Sequence, residues 1–214
     1  MRPLPRLHAI TDDAILADPD VGIRAAAIAA AGPAVALHVR GRTSSAAFLA
    51  KCATRVMSLA SPAEAAVIIN ARPDLARAVA AQGVQLGAGD LSVPDARRVL
   101  GAGWIGRSVH GLAEARAAID EGADYLLLGT IFESASHPGQ AGLGLGVLAE
   151  VAALGTPVIA IGGMTAARAT DVREAGAWGI AAIRALWHAA DPYAAAMELL
   201  TPWSDHTTPE ERPA

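Results

Sequence analysis

A serine and a histidine end the fifth of eight short β-type segments in the sequence, at Ser108-Val109-His110. Successive side chains of a strand point to opposite faces, so Ser108 and His110 share one face. Imidazole takes up and releases a proton near neutral pH, which suits His110 to general acid–base catalysis. Two side chains this close on one strand do not imply a Ser–His–Asp triad. The plain alternative is an isolated surface histidine.

Basic residues alternate at the end of the second β-type segment, as His38, Arg40 and Arg42. The two-residue period of a strand places all three on one face. Arginine forks bind carboxylate and phosphate groups, so this face is predicted to hold an anionic part of a substrate. The alternative is a surface charge pair on an exposed loop.

A pair of glycines, Gly162-Gly163, follows the seventh β-type segment and precedes a helix that starts near Thr165. Glycines allow a phosphate to approach backbone N–H groups, and the N-terminus of a helix favours an anion. We therefore predict a phosphate site here, completed by backbone near Ile183 and by the charge of Arg184. The alternative is a tight turn without a ligand.

Asn70 ends the third β-type segment and Asp90 follows the fourth. Oxygen ligands of this kind suit Mg²⁺, but the residue after Asn70 is Ala71 and not a second carboxylate. Helix capping is the preferred role for Asp90, so no metal or other cofactor is predicted. Asn70 is instead expected to contact the substrate.

A long loop begins at Gly129, after the sixth β-type segment, and its only carboxylate is that of Glu133. Loops of this length are often lids over a site. Gly129 and Ser134 are predicted to contact the substrate.

The elements that must position these residues are alternating β-type and helical segments. The β-type segments are Leu7–Thr11, Ala34–Val39, Ala65–Ile69, Gly83–Leu86, Trp104–Ser108, Tyr125–Leu128, Pro157–Ile161 and Gly179–Ile183. The helical segments are Val21–Ala31, Ser44–Leu59, a helix from Pro73, Pro94–Leu100, Leu112–Glu121, Leu145–Ala153, Thr165–Ala175 and Pro192–Leu200. Thr43 or Ser44 is expected to cap the second helix, and Thr165 the seventh.

Eight strand–helix units in one chain predict an α/β fold, a (β/α)₈ TIM barrel, with an open doubly wound sheet as the alternative. The 214 residues suit a single barrel domain over residues 1–201, followed by a Pro-rich polar tail over residues 202–214 that is expected to be disordered. In such barrels the active site lies at the C-terminal ends of the strands. All the residues singled out above end a strand or follow one closely.

The composition limits the possible partners. The net charge of −4, without runs of like charge, argues against a surface for nucleic acid or anionic membrane. A single cysteine, Cys52, allows no intrachain disulfide, and the sequence shows neither a secretory leader nor a transmembrane run. We therefore expect a cytoplasmic protein that forms a homo-oligomer, a dimer.

Seven segments taken together resemble the thiamine phosphate synthase superfamily, and within it the thiazole tautomerase branch. They are LHAITDD (7–13), LHVRGRTSS (37–45), INARPDLA (69–76), GVQLGAGDLS (83–92), IGRSVHGLAEA (105–115), GADYLLLGTIFES (122–134) and PVIAIGGMT (157–165). The resemblance implies the barrel fold and a small phosphorylated substrate.

The sequence departs from the synthase pattern where that pattern carries metal and pyrophosphate chemistry. The synthases have Gln-x-Arg-x-Lys where this chain has His38, Arg40 and Arg42. They have Asn-Asp-Arg, whose Asp binds Mg²⁺, where this chain has Ala71 in the middle position. In the loop after strand 6 they have Thr-x-Thr-Lys, and Ser134 stands at the start of that stretch here.

The resemblance to the tautomerases implies a reaction without a cofactor. A histidine in the RSVH context, His110 in this sequence, moves a proton on a carboxythiazole phosphate and so converts a non-aromatic tautomer into the aromatic ring. Two alternatives stay open. One is a divergent thiamine phosphate synthase, a transferase that requires Mg²⁺; the other is a non-catalytic regulator that binds a phosphorylated ligand.

Overall fold

Eight parallel strands close into a barrel in the computed structural model, which describes residues 2–133 and 142–204. Each strand pairs with the next in chain order, and the eighth returns to pair with the first through Leu7 and Ile180. The strands are β1 Leu7–Ile10, β2 Val35–Val39, β3 Ala66–Asn70, β4 Gly83–Leu86, β5 Trp104–Val109, β6 Tyr125–Gly129, β7 Val158–Ile161 and β8 Gly179–Ala182. The predicted (β/α)₈ barrel is confirmed, and the open sheet is wrong.

Ten α-helices lie within the described residues. They are α1 Asp13–Ala17, α2 Val21–Ala29, α3 Ala46–Ala60, α4 Pro73–Ala78, α5 Val93–Leu100, α6 Leu112–Asp120, α7 Gly144–Ala152, α8 Ala166–Glu174, α9 Arg184–Trp187 and α10 Pro192–Leu200. The short helices α1 and α9 were not predicted, because one turn of helix carries too little periodicity to be recognised in a sequence. None of the helices in the described ranges is long and apolar enough to cross a bilayer.

The buried side chains form two layers. One layer lies between the strands and the surrounding helices and is rich in Ala, Val, Leu and Ile. The other fills the inside of the barrel, where Ile68, Tyr125 and Ile159 are fully buried. His8 and His38 are also fully buried inside the barrel, so its interior is partly polar just below the predicted site.

Two predicted helix caps are wrong, and in both cases the predicted residue makes another hydrogen bond instead. Ser45 rather than Thr43 or Ser44 caps α3, because the Ser44 hydroxyl donates to Asp13 Oδ1 at 2.6 Å. Ser92 rather than Asp90 caps α5, while Asp90 accepts the backbone N–H of Gly87 at 2.6 Å. Polar side chains near a helix start compete between the cap and the loop, and tertiary contacts decide.

The structure describes the chain up to Ser204. The predicted division into a barrel domain and a disordered tail stays a prediction.

Candidate active site

A cavity of about 1040 Å³ lies at the C-terminal ends of the strands. It brings together ten of the predicted site residues. These are Arg40, Arg42, Asn70, Ser108, His110, Gly129, Gly162, Gly163, Ile183 and Arg184. Ser134 lies outside the described residues. The geometric rule for barrels therefore found the cavity, while the role of each residue stays a prediction.

The glycine pair forms one wall of the cavity with backbone atoms. Gly162 and Gly163 have φ angles of +104° and +65°, in the region that favours glycine. A Cβ added at Gly162 would lie 2.4 Å from Cγ2 of Thr130, so no side chain fits there. Thr165 stands at the N-cap position of α8 as predicted, but its hydroxyl makes no capping bond within the described residues. The arrangement leaves backbone at the start of a helix facing the cavity, which suits an anion.

Arg168 is a residue of this wall that sequence reasoning missed. Its guanidinium donates to the carbonyl of Gly163 at 2.6 Å and stacks over the ring of Phe132, with the carbon centre 4.5 Å from the ring centroid. It also lines the cavity. Its position one turn into α8 gives no local signal, since exposed arginines are common on barrel helices.

Arg40 and Arg42 line the opposite side of the cavity, on the loop after β2. Asp13 holds this loop, because its carboxylate accepts the backbone N–H groups of Arg42, Thr43 and Ser44. These hydrogen bonds, led by that of the Ser44 hydroxyl, lower the pKa of Asp13 well below its usual range. The ionised carboxylate of Asp13 thus holds the loop after β2 in place.

Arg40 is the more buried of the two arginines on this side of the cavity. Burial lowers the pKa of Arg40, and so does the neighbouring charge of Arg42, while Asp12 and Asp13 oppose the shift. Two adjacent cations without a bound anion repel each other, so a carboxylate or phosphate between them would be stabilised.

His38 does not join this basic face, contrary to the prediction. β2 ends at Val39, and the backbone N–H of Arg40 donates to Thr11 Oγ1 at 2.8 Å, so the strand pattern stops before Arg40. The His38 ring points into the barrel, where burial lowers its pKa to about 4. His38 is therefore neutral at neutral pH and provides no charge for a substrate anion.

The floor of the cavity is polar below Ser108. The Gln85 side-chain amide donates to Ser108 Oγ at 3.0 Å and to the carbonyl of Leu86 at 3.2 Å. Gly106 makes room for this packing, because a Cβ there would lie 2.2 Å from Gln85 Oε1 and 2.1 Å from Cζ of Tyr125. Ser108 is thus held in place by a fully buried glutamine.

His110 stands at the rim of the cavity, immediately after β5, and is held by Glu114. The Glu114 carboxylate accepts the backbone N–H of His110 and lies 3.0 Å from its ring Nδ1, so Nδ1 carries the proton. The ring nitrogen Nε2 has no partner among the described residues and is available to a ligand. The side chains of both residues are more than half exposed, at 60% and 57%. Sequence reasoning missed Glu114, although a Glu four residues after a His is within reach in the first turn of a helix.

A magnesium site like that of the synthases does not fit the described side chains. Ala71 has no ligand atom, and the Asp90 carboxylate is occupied by Gly87 and does not line the cavity. The carboxylates that do line it are Asp12, which caps α1, and Glu133. Across residues 2–133 and 142–204, no three His, Cys, Asp or Glu side chains come together as a metal site.

Sequence comparison places this chain in a known family. The family profile described as thiamine monophosphate synthase matches residues 7–186. A thiamine-phosphate synthase of Salinispora arenicola is 41% identical over 208 residues, which covers 94% of this chain and 100% of that relative. Another, of Mycolicibacterium gilvum, is 46% identical over 137 residues, which covers 63% of this chain but only 58% of that relative.

The same family includes a solved structure with a similar fold. A thiamine phosphate pyrophosphorylase from Pyrococcus furiosus superposes with a TM-score of 0.79 at 28% identity, covering 94% of this chain and 96% of that one. The names of these relatives are those of synthases and so match the transferase alternative rather than the tautomerase branch. The chain belongs to the thiamine monophosphate synthase family.

Proposed function

We propose that this protein is a thiazole tautomerase that uses no cofactor and acts on a carboxythiazole phosphate in thiamine biosynthesis. The observation that carries the proposal is the pair His110–Glu114 at the rim of the cavity. Glu114 holds the proton on Nδ1 of His110, so Nε2 is free to act as a base. His110 stands in the RSVH context on which the resemblance to the tautomerases rests.

The rest of the cavity suits the two ends of such a substrate. The backbone at Gly162-Gly163 would bind the phosphate, and Arg40 and Arg42 would bind the carboxylate. The ring would then lie between these two walls, within reach of His110. Ser108 and Asn70 line the same cavity and would contact the ring from below.

The reaction is an isomerisation, so substrate and product have the same atoms, and it needs one base to move a proton. Nε2 of His110 would take a proton from a ring carbon, and a proton would return to the exocyclic carbon of the same molecule. The double bonds shift into the ring, and aromaticity drives the reaction. Proton transfer of this kind contributes about 10²–10⁴-fold to a rate, and holding the ring in place would supply much of the rest.

The second candidate is a thiamine-phosphate synthase, a transferase, and the names of the relatives favour it. That reaction joins a pyrimidine diphosphate to a thiazole phosphate. In the synthases the resemblance assigns Mg²⁺ to a carboxylate at the position of Ala71, and the described carboxylates here do not replace it.

The two candidates separate in one assay. The purified protein is incubated with the non-aromatic carboxythiazole phosphate in EDTA, and formation of the aromatic ring is followed by its ultraviolet spectrum. We expect turnover that EDTA leaves unchanged. Loss of turnover in EDTA would contradict the tautomerase, and growth of a synthase-null strain without thiamine would establish the transferase. Binding of thiazole phosphates without either activity would point to a regulator.

The expected homodimer and the cytoplasmic location remain predictions from the sequence.

A further inference from the structure

A continuous row of polar groups runs through the barrel interior to the floor of the cavity. The ring Nε2 of His8 lies 3.2 Å from the carbonyl oxygen of Pro5, below the barrel. Nδ1 of His8 lies 2.8 Å from Nε2 of His38, and Nδ1 of His38 lies 3.1 Å from the side-chain amide of Asn70. Both rings are fully buried, while Asn70 lines the cavity. The proposed reaction does not use the two histidines.

The direction of every hydrogen bond in this row follows from its lower end. The carbonyl of Pro5 only accepts, so Nε2 of His8 must carry a proton. A neutral imidazole has one N–H, so Nδ1 of His8 must accept, and the donor is Nε2–H of His38. Nδ1 of His38 then carries no proton and must accept as well. The group that faces it from Asn70 must therefore be the amide N–H.

The opposite orientation of the Asn70 amide leaves two hydrogen-bond acceptors facing each other in the buried row. With Oδ1 of Asn70 towards His38, His38 must donate from Nδ1 and accept at Nε2. His8 must then donate from Nδ1, and its unprotonated Nε2 faces the Pro5 carbonyl, two acceptors at 3.2 Å. Rotating the Asn70 amide by 180° exchanges the positions of its oxygen and nitrogen. The hydrogen-bond partners decide which of the two orientations is correct. That rotation removes the conflict at no other cost in this row.

A second proton on either ring would also remove the conflict, but burial opposes it. Desolvation lowers the pKa of His8 well below its usual value, and His38 lowers it further. Desolvation likewise lowers the pKa of His38; the hydrogen bond to Asn70 opposes this shift and the charge of Arg40 adds to it, and the pKa stays low, at about 4. Among the described residues, no carboxylate forms a hydrogen bond with either ring that would stabilise an imidazolium. Both rings are therefore neutral at neutral pH.

We infer that Asn70 presents its amide oxygen, and not its nitrogen, to the cavity, because the neutral row Pro5–His8–His38 consumes one of its N–H groups. His8 and His38 are positioning residues that act through Asn70. A hydrogen-bond donor of the ligand, an N–H or O–H group or a bound water, would be received at this point, and a carboxylate would be repelled. The anionic groups are thereby directed to Arg40 and Arg42. This inference holds for either proposed reaction, since it concerns only the polarity of the floor.

The protonation of the two rings tests the inference without any assay of activity. The full chain labelled with ¹⁵N-histidine is examined at pH 7 by long-range ¹H–¹⁵N correlation, which distinguishes protonated from unprotonated ring nitrogens. The chain has six histidines. The signals of His110, His137, His188 and His206 are identified by replacing each with Gln in turn, and the two sets that remain belong to His8 and His38.

We expect both buried rings to carry their proton on Nε2 alone. A proton on Nδ1 alone in either ring, or on both nitrogens, would overturn the inference. The variant Asn70→Asp has the same shape but no N–H to donate, so its carboxylate should move a proton to Nδ1 of His38. A wild-type pattern in both rings of folded Asn70→Asp would equally overturn it. If that variant does not fold, the spectrum of the unmodified chain still decides.

Discussion

Two walls of the cavity, the backbone wall after β7 and the side-chain wall after β5, are built in different ways. The wall after β7 presents the backbone of Gly162-Gly163, supported by Arg168, and a Cβ added at Gly162 would lie 2.4 Å from Cγ2 of Thr130. The wall after β5 consists of exposed side chains, and Glu114 accepts two hydrogen bonds from His110, one from its backbone N–H and one from its ring. Phosphate binding is thus assigned to backbone atoms, which a substitution can alter only by displacing the loop. Chemistry is assigned to side chains that can be exchanged without disturbing the fold.

The largest effect is expected on the side-chain wall. His110→Ala should lower kcat of the proposed reaction by about 10²–10⁴-fold, because it removes the only base proposed for the proton transfer. Its thermal midpoint should stay close to that of the unmodified protein, since the ring is more than half exposed. His188→Ala, an exposed histidine that does not line the cavity, is the matched control. Wild-type turnover in His110→Ala would remove the observation on which the proposed function rests.

The buried histidine below the floor of the cavity is expected to make the folded protein less stable in acid. The pKa of His38 is about 4 in the folded protein, against an ordinary value of 6.5. The unfolded chain therefore takes up a proton that the folded chain refuses, and stability falls as the pH falls from about 6.5 to about 4. Below that range both states are protonated and the loss stops growing. The loss attributable to His38 is about 3 kcal/mol.

Urea unfolding at pH 7, 5.5 and 4.5 measures this slope. His38→Gln keeps a polar partner for His8 and Asn70 but does not titrate, so the free energy of unfolding should fall less steeply in this variant. His188→Gln, at an exposed position, should keep the steep slope. Equal slopes in all three proteins would show that His38 does not govern the acid response.

The two walls also differ in how far the sequence predicts them. Gly162-Gly163 could be placed correctly because a glycine pair between a strand and a helix is a local signal, and barrel geometry supplies its meaning. His110 could be placed because it ends a strand. The pairing of His110 with Glu114 is local too, but a Glu in the first turn of a helix is common and does not single itself out.

The floor was beyond sequence reasoning because it depends on where strands end and on partners far apart in the chain. The two-residue period placed Arg40 at the cavity correctly, but it failed for His38, whose ring is buried inside the barrel. The strand ends before Arg40, whose backbone N–H donates to Thr11 Oγ1. The row from His8 to Asn70 joins three strands, and no spacing in the sequence links them. The wrong cap at Ser44 has the same origin, since its hydroxyl donates to Asp13 at the start of α1, far away in the sequence.

A smaller effect is expected on the backbone wall. Gly162→Ala forces a side chain into a φ of +104° and against Thr130, which should displace the loop and raise KM for the phosphorylated substrate about tenfold, or about 1.4 kcal/mol. Gly155→Ala is the matched control, because Gly155 has a φ of +87° but open space around its missing Cβ. Both variants should lose some stability, and only the first should lose affinity. An equal KM in the two variants would separate the glycine pair from phosphate binding.

The smallest effect is expected where the side-chain wall supports itself. Glu114→Ala removes the acceptor that holds the proton on Nδ1 of His110, so Nε2 would be the free base for only part of the time. A hydrogen bond contributes about 0.5–1.5 kcal/mol net, so kcat should fall about two- to tenfold while KM stays unchanged. Glu114→Gln keeps a carbonyl oxygen that can accept from Nδ1 and should lose less. Glu150→Ala, an exposed glutamate on α7, is the control and should show wild-type kcat. If Glu114→Ala also showed wild-type kcat, the ring of His110 would be oriented by the substrate itself, and the side-chain wall would be less preorganised than the backbone wall.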